Sequence, residues 1–190
     1  FALDRRAAAG FFAFLDQARP RVETMYAVKG QVTGPFTFAT GVVDAAGRAL
    51  FYDEQLRDIA VKQIATKARW QARALAELGK PVMVFFDEPG LTAFGSSAFI
   101  SISREEVTAC FEEVFAAVHA EGALAGVHVC ANAEWSIILE STADIVSFDA
   151  YSFFDKFILY PEAITRFINQ GKILAWGIVP TSNKTDIEKE

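Results

Sequence analysis

A histidine and a cysteine two positions apart, His128 and Cys130, are the side chains of this sequence best suited to bind a metal. They lie at the end of a short apolar segment, 123–130, that predicts a buried strand. Residues i and i+2 of a strand point to the same face, so the imidazole and the thiol are expected side by side. Zinc accepts both as ligands. An isolated pair of this kind is more often a core cysteine beside a hydrogen-bonded histidine, so the rest of the chain must decide.

Carboxylates follow two other apolar segments. Asp87 and Glu88 come directly after the run 81–86, and Asp149 comes after 144–148. Two adjacent carboxylates could hold a substrate ammonium group or take part in proton transfer, or they could simply begin a solvated loop. Asp149 could be a third metal ligand, could orient the imidazole of His128, or could cap a helix.

Four further residues at predicted strand ends are candidates for substrate binding. Gln31 and Thr33 share one face of the segment 26–35, and Tyr151 follows Asp149. Trp176, in the last apolar segment, could be a stacking platform for a ligand or part of the core. Together with Asp87 and Glu88, these side chains make up the predicted substrate site.

The elements that must position these groups alternate regularly between strands and helices. The predicted strands are 26–35, 81–86, 123–130, 144–151 and 172–179. Short apolar strands between helices indicate a parallel sheet, either a doubly wound sheet or part of a (β/α)8 barrel. Nearly every strand ends in polar residues, and a barrel gathers all carboxyl ends at one mouth, so the pattern favours the TIM barrel. We predict one domain, 1–190, holding about five of the eight units.

Composition excludes several classes of function. The 190 residues are 52% hydrophobic with a net charge of −6, so nucleic acid is not an expected partner. No apolar run is long enough to span a bilayer. The two cysteines make no disulfide framework, which predicts a cytoplasmic protein, and Cys110 falls on the apolar stripe of a predicted helix and belongs in the core. The sequence leaves open whether copies associate into a homo-oligomer.

Three motifs, in this order, resemble the cobalamin-independent methionine synthases. The run 29–35 is similar to their K-G-x-x-T-G-P strand, 86–89 to their D-E-P strand end, and 128–130 to their H-x-C zinc motif. The run 142–149 also resembles the wider uroporphyrinogen decarboxylase-like superfamily, which includes methyltransferases that act on coenzyme M. The resemblance covers about 26–181.

The resemblance implies a (β/α)8 barrel with zinc at its mouth, held by His128 and Cys130. Asp149 occupies the position where methionine synthases place a glutamate ligand, and a shorter acid puts that role in doubt. Asp87 matches the acid that contacts the amino group of the thiol amino acid. The family's last ligand is a cysteine on a later strand, so it is expected beyond Glu190, and a substrate loop is expected before Phe1. The sequence is thus expected to be part of a longer protein.

The leading hypothesis is a zinc-dependent methyltransferase of methionine biosynthesis, moving a methyl group from a folate-like donor to a homocysteine-like thiol. Coordination to zinc deprotonates a thiol that is mostly protonated at neutral pH. A decarboxylase of a tetrapyrrole-like acid, or a corrinoid or coenzyme M methyltransferase, would keep the fold. The decarboxylase ranks lower, because the predicted strand ends carry acids and no arginine. A third hypothesis is a metal- or thiol-binding barrel without catalysis.

Overall fold

The computed structural model describes residues 2–181 and 183–188. Its centre is a parallel sheet of β1 (Val28–Thr33), β2 (Val82–Asp87), β3 (Leu124–Val129), β4 (Ile145–Phe148) and β5 (Ile173–Trp176). The strands lie in the order in which they occur along the chain, with no reversal among these five. The predicted α/β class and parallel sheet are confirmed.

Helices connect the strands in sequence. The α-helices of the described residues are α1 (Ala9–Ala18), α2 (Pro35–Gly41), α3 (Glu54–Ala76), α4 (Arg104–His119), α5 (Trp135–Leu139), α6 (Ala150–Phe157), α7 (Pro161–Asn169) and α8 (Lys184–Ile187). Short 3-10 helices occupy Arg19–Thr24, Leu50–Tyr52 and Pro89–Ala93. In the described part of the chain, no helix combines the length and apolar character that crossing a membrane requires.

Side-chain caps begin the two longest helices. The Asp53 carboxylate accepts the backbone N–H groups of Gln55 and Leu56 at the start of α3. At the start of α4, Ser103 and Glu106 each bond the other's backbone N–H, which is a complete capping box. These bonds satisfy helix donors that have no partner within the helix. The starts of both helices therefore follow from local sequence.

The sheet has one face covered by helices and one that we call the open face. In β1 the buried residues are Val28, Gly30 and Val32, while the alternate residues are exposed. Helix α3 packs against β1 and β2, α4 against β3, and α7 against β5. On the open face, Leu124 is 37% exposed and Ile173 is 47% exposed. Right-handed crossovers between strands added in one direction place all helices on one face, which explains this asymmetry.

The strand predicted over 144–151 is shorter than expected. β4 ends at Phe148, and Tyr151 lies in the first turn of α6. The Asp149 carboxylate accepts the Ser152 N–H at 3.0 Å, which caps this helix and ends the strand before it. β5 also ends earlier than predicted, at Trp176.

A side chain of α3, Gln71, completes the outer edge of β1. Val28 N–H donates to the Pro81 carbonyl, so by alternation the N–H and C=O of Gln31 point away from β2. Gln71 Oε1 accepts the Gln31 N–H at 3.1 Å, and Gln71 Nε2 donates to the Gln31 carbonyl at 3.0 Å. A Cβ at Gly30 would lie 2.7 Å from Gln71 Oε1, so the glycine provides room for the carboxamide.

We expect Gln71→Ala to lower the free energy of unfolding by about 2 kcal/mol, because two strand groups lose their partner. Urea denaturation measures this loss, and hydrogen exchange of the Gln31 amide should become faster. The control is Gln63→Ala, an exposed glutamine of the same helix, which should stay within about 0.5 kcal/mol of the wild type. Unchanged stability and unchanged exchange in Gln71→Ala would show that the two hydrogen bonds of Gln71 do not stabilise the edge of β1.

Candidate functional site

Four polar side chains form a row across the open face, at the carboxyl ends of the strands. The register pairs Thr33 with Asp87, Asp87 with His128, and His128 with Ser147. Neighbouring strands lie about 4.8 Å apart, so the row brings a hydroxyl, a carboxylate, an imidazole and a second hydroxyl together. Residues more than a hundred positions apart in sequence thereby share one site.

His128 is held by the neighbouring strand. Its ring is half-buried, and its Nδ1 lies 3.0 Å from Ser147 Oγ. An imidazole whose Nδ1 is engaged in this way has Nε2 left for a ligand. Cys130 follows two residues later and is an exposed free thiol. Cys110, by contrast, is in the core as predicted, and burial raises the pKa of its thiol to about 11.

A cavity of about 400 Å³ joins His128 and Cys130 to the ends of β4 and β5. Its other walls come from the region after β4 and the segment after β5. Polar side chains among these walls include Ser147, Asp149, Tyr151 and Ser152. The volume falls within the range of small-molecule sites, which makes this cavity the candidate substrate site.

Asp149 has a structural contact in addition to its place in this cavity. One carboxylate oxygen, Oδ1, accepts the Ser152 N–H as the cap of α6. Of the three roles open to Asp149 from the sequence, the helix cap is therefore present in the structure. A carboxylate has two oxygens with several acceptor positions, so the cap does not use up its capacity to bind.

Asp87 belongs to a chain of polar contacts on the open face. Its Oδ2 accepts a hydrogen bond from Gln31 Nε2, and Gln31 Oε1 accepts one from Lys29 Nζ at 2.8 Å. Lys29 also lies over the Phe85 ring, 4.7 Å from its centroid. Asp87 Oδ1 is buried and has no hydrogen-bond partner among the described residues. A buried, unpartnered carboxylate oxygen is costly, so it is the atom of this site most in need of a ligand donor.

The structure does not place Glu88 with Asp87. Adjacent residues of a strand point to opposite faces, and the Glu88 side chain is fully buried. Its Oε1 accepts the Phe36 N–H at 3.0 Å, and its Oε2 accepts the Thr37 N–H at 2.8 Å and the Thr37 hydroxyl at 2.6 Å. Glu88 therefore binds the first turn of α2 and does not reach a substrate on the open face.

Burial raises the pKa of Glu88 from 4.5 to about 7. The hydrogen bonds from Thr37 and Phe36 act in the opposite direction, because they favour the carboxylate. The nearby charge of Asp87 adds a smaller increase. Glu88 therefore changes its protonation near neutral pH, in the interior beside the first turn of α2.

The remaining predicted substrate residues are dispersed. Thr33 lies in the polar row, and Gln31 holds Asp87. Tyr151 is exposed and lines the cavity. Trp176 is 45% exposed and packs among Phe148, Phe154 and Phe157, with ring centroids 5.4 to 6.0 Å apart. Trp176 is thus part of an aromatic cluster and not of the polar row.

Sequence interpretation missed Ser147 as a member of the site. The signal was available, because Ser147 lies two residues before Asp149 and is the one hydroxyl in an apolar strand. Lys29 was also missed, although it shares a strand face with Gln31 and Thr33. Each of these residues lies two positions from a predicted site residue, and the two-residue period of a strand would have placed it on the same face.

The side chains present are of the types that bind zinc. An imidazole and a thiol at the end of one strand are typical zinc ligands, and a zinc-bound histidine usually has its other nitrogen held by a hydrogen bond, as Ser147 holds Nδ1 here. Within 2–181 and 183–188, however, no three side chains of His, Cys, Asp or Glu are grouped so that they could hold a metal ion. Among the described residues, His128 and Cys130 are therefore two potential zinc donors with no third one grouped beside them.

Comparisons with known proteins assign neither a family nor a function to this chain. A search with protein-family models gives no match to this chain. A search of curated proteins gives no significant match either. Any functional assignment therefore depends on the residues of the site.

Proposed function

We propose that this chain is the core of a zinc-dependent methyltransferase that moves a methyl group to a thiol, similar to the cobalamin-independent methionine synthases. The acceptor would be a homocysteine-like amino thiol and the donor a folate-like molecule, in the cytoplasm. One observation carries the proposal: His128 and Cys130 line a single cavity, and the register partner of His128 is Asp87, whose buried Oδ1 has no hydrogen-bond partner among the described residues.

A (β/α)8 barrel is the fold we propose for the complete protein. The strand order supports it, because a doubly wound sheet reverses its order at the site and these five strands do not. The open face supports it too, since leucine, isoleucine and phenylalanine side chains there would fill a barrel interior in layers. A strand that closes the barrel on β1 would have to replace Gln71 as the hydrogen-bond partner of the Gln31 backbone.

The proposed roles divide between two ends of the polar row. His128 and Cys130 would hold the zinc; Asp149 lines the same cavity, but among the described residues it is not grouped with them as a third ligand. The zinc, when bound, would lower the pKa of the substrate thiol so that the sulfur is deprotonated at neutral pH. Asp87 would accept a hydrogen bond from the substrate ammonium through Oδ1, while Gln31 keeps its Oδ2 in place. These contacts would fix both ends of an amino thiol, which lowers the entropic barrier to methyl transfer.

We expect the full-length protein to contain close to one zinc ion per chain. His128→Ala and Cys130→Ser should each lose most of this zinc, because each removes one of very few ligands. Metal analysis after gel filtration measures the content. Cys110→Ser is the matched control, since this cysteine is buried away from the cavity and should leave the zinc content unchanged.

A wild-type protein without near-stoichiometric zinc would overturn the proposal. Calorimetry with homocysteine and with a reduced folate separates the remaining alternatives. Zinc without binding of either molecule would support a metal-binding barrel that has no catalysis. Binding of thiols without an amino group as tightly as homocysteine would favour a coenzyme M type of acceptor, because Asp87 would then have no role in recognition.

A further inference from the structure

We propose that Ser147 is a positioning residue that holds His128 in the tautomer with its hydrogen on Nδ1. This inference rests on the proposed function, because only that tautomer leaves a lone pair on Nε2 for zinc. The contact between Ser147 and His128 does not require zinc, however, so the tautomer can also be measured in the metal-free protein.

The contact is built into the sheet. His128 and Ser147 are register partners on β3 and β4, and Nδ1 and Oγ are 3.0 Å apart. Ser147 lies between Val146 and Phe148, both of which are buried on the covered face. These two anchors fix the strand so that the hydroxyl points to the open face beside the ring. In the described part of the chain, this is the one hydrogen bond that the His128 ring makes.

The direction of this hydrogen bond decides the chemistry. A serine hydroxyl can accept from Nδ1–H or donate to a bare Nδ1. In the first case, Nε2 is a metal ligand, as in metal sites where a hydrogen bond to the other nitrogen fixes the ring. In the second case, the pair resembles a nucleophilic serine with its base, and a third group usually orients such a base through its other nitrogen. Ser147 is the hydrogen-bond partner of the His128 ring among the described residues, and no carboxylate is hydrogen-bonded to its other nitrogen there, so the first direction is favoured.

Nitrogen NMR of the metal-free protein tests the direction. At pH 8, where an ordinary imidazole is neutral, long-range proton–nitrogen correlations distinguish the nitrogen that carries hydrogen from the bare one. We expect hydrogen on Nδ1 of His128 in the full-length wild type, and a shift toward Nε2 in Ser147→Ala. His128→Gln assigns the signals. Ser147→Thr keeps the hydroxyl and should retain the wild-type tautomer, whereas Ser152→Ala removes another hydroxyl of the cavity and should have no effect.

Zinc affinity provides a second measurement. Competition with a chromophoric chelator should show about 10- to 100-fold weaker binding in Ser147→Ala and binding within a few-fold of wild type in Ser147→Thr. Circular dichroism establishes that each variant is folded, and if Ser147→Ala does not fold, the tautomer measured in the wild type still decides the inference. Hydrogen on Nε2 in the wild type would overturn the inference, as would an unchanged tautomer in Ser147→Ala. The expected tautomer in a wild type that binds no zinc would refute the proposed function and support the role of Ser147.

Discussion

Gly34→Ala is expected to lower the free energy of unfolding by about 3 kcal/mol, the upper part of the usual range for an added methyl group that has no room. A Cβ at this position would lie 2.5 Å from Cγ of Glu88 and closer still to its carboxyl group. The long side chain cannot simply move aside, because Phe36 and Thr37 bind both of its carboxyl oxygens in the interior. The new methyl group would therefore break those hydrogen bonds or displace the start of α2.

Chemical denaturation measures this effect, and Gly41→Ala is its matched control. Gly41 ends the same helix, and a Cβ there would meet no atom within 4 Å. We expect Gly41→Ala to be neutral or to stabilise by up to about 1 kcal/mol, as alanine does in a helix. In a Glu88→Ala background, Gly34→Ala should cost much less, because the two sites are in contact. Equal costs in both backgrounds would show that Glu88 is not the obstacle.

Raising the pH from 5 to 8 should remove on the order of 3 kcal/mol of stability through Glu88. The pKa of this carboxyl is about 7 in the folded protein and 4.5 in its unperturbed state, and each pKa unit corresponds to about 1.4 kcal/mol. Between these values the folded chain binds a proton that the unfolded chain releases, so unfolding becomes easier as the pH rises. The contribution is complete below pH 4.5 and is lost as the pH passes through 7.

Denaturant titrations at several pH values test this dependence in wild type and in Glu88→Gln. Glutamine has the same shape and does not titrate, so the variant should lack the part of the slope that Glu88 supplies. Thr37→Val removes the side-chain hydrogen bond that most strongly lowers the pKa, so the midpoint of the pH effect should move upward. A Glu88→Gln variant with the wild-type slope would assign the pH dependence to other groups.

The contacts of Glu88 give two of the sequence motifs a structural explanation. Gly34, at the end of the first motif, makes room for the side chain of Glu88, which belongs to the second. Gly34 N–H also donates to the Asp87 carbonyl at 2.8 Å, and Gly90 N–H donates to the Thr37 hydroxyl at 2.9 Å. The hydrogen bonds between the two motifs therefore hold the carboxyl ends of β1 and β2 together. Asp87 alone, on the other face, stays available to the site.

Local sequence determined the elements of this protein. Apolar runs predicted all five strands, and the side-chain caps at Asp53 and Ser103 begin α3 and α4 through bonds to nearby residues; both features depend on neighbours in the chain. The prediction that His128 and Cys130 lie side by side is also local, because it uses the two-residue period of a strand; in the structure β3 ends at Val129, and both residues line one cavity. The end of β4 was missed because the Asp149 cap, a local alternative already present in the sequence, prevailed over the apolar pattern.

Only the tertiary structure decided which of these residues meet. The register of β3 and β4 placed Ser147 against His128, and the packing of α2 drew Glu88 into the interior while Asp87 remained on the open face. Register and burial depend on contacts between segments far apart in the chain, and a composition pattern carries no record of them. The sequence by itself therefore named the reactive groups and the strands that carry them. The fold determined that an imidazole, a hydroxyl and a buried carboxylate oxygen lie in one row.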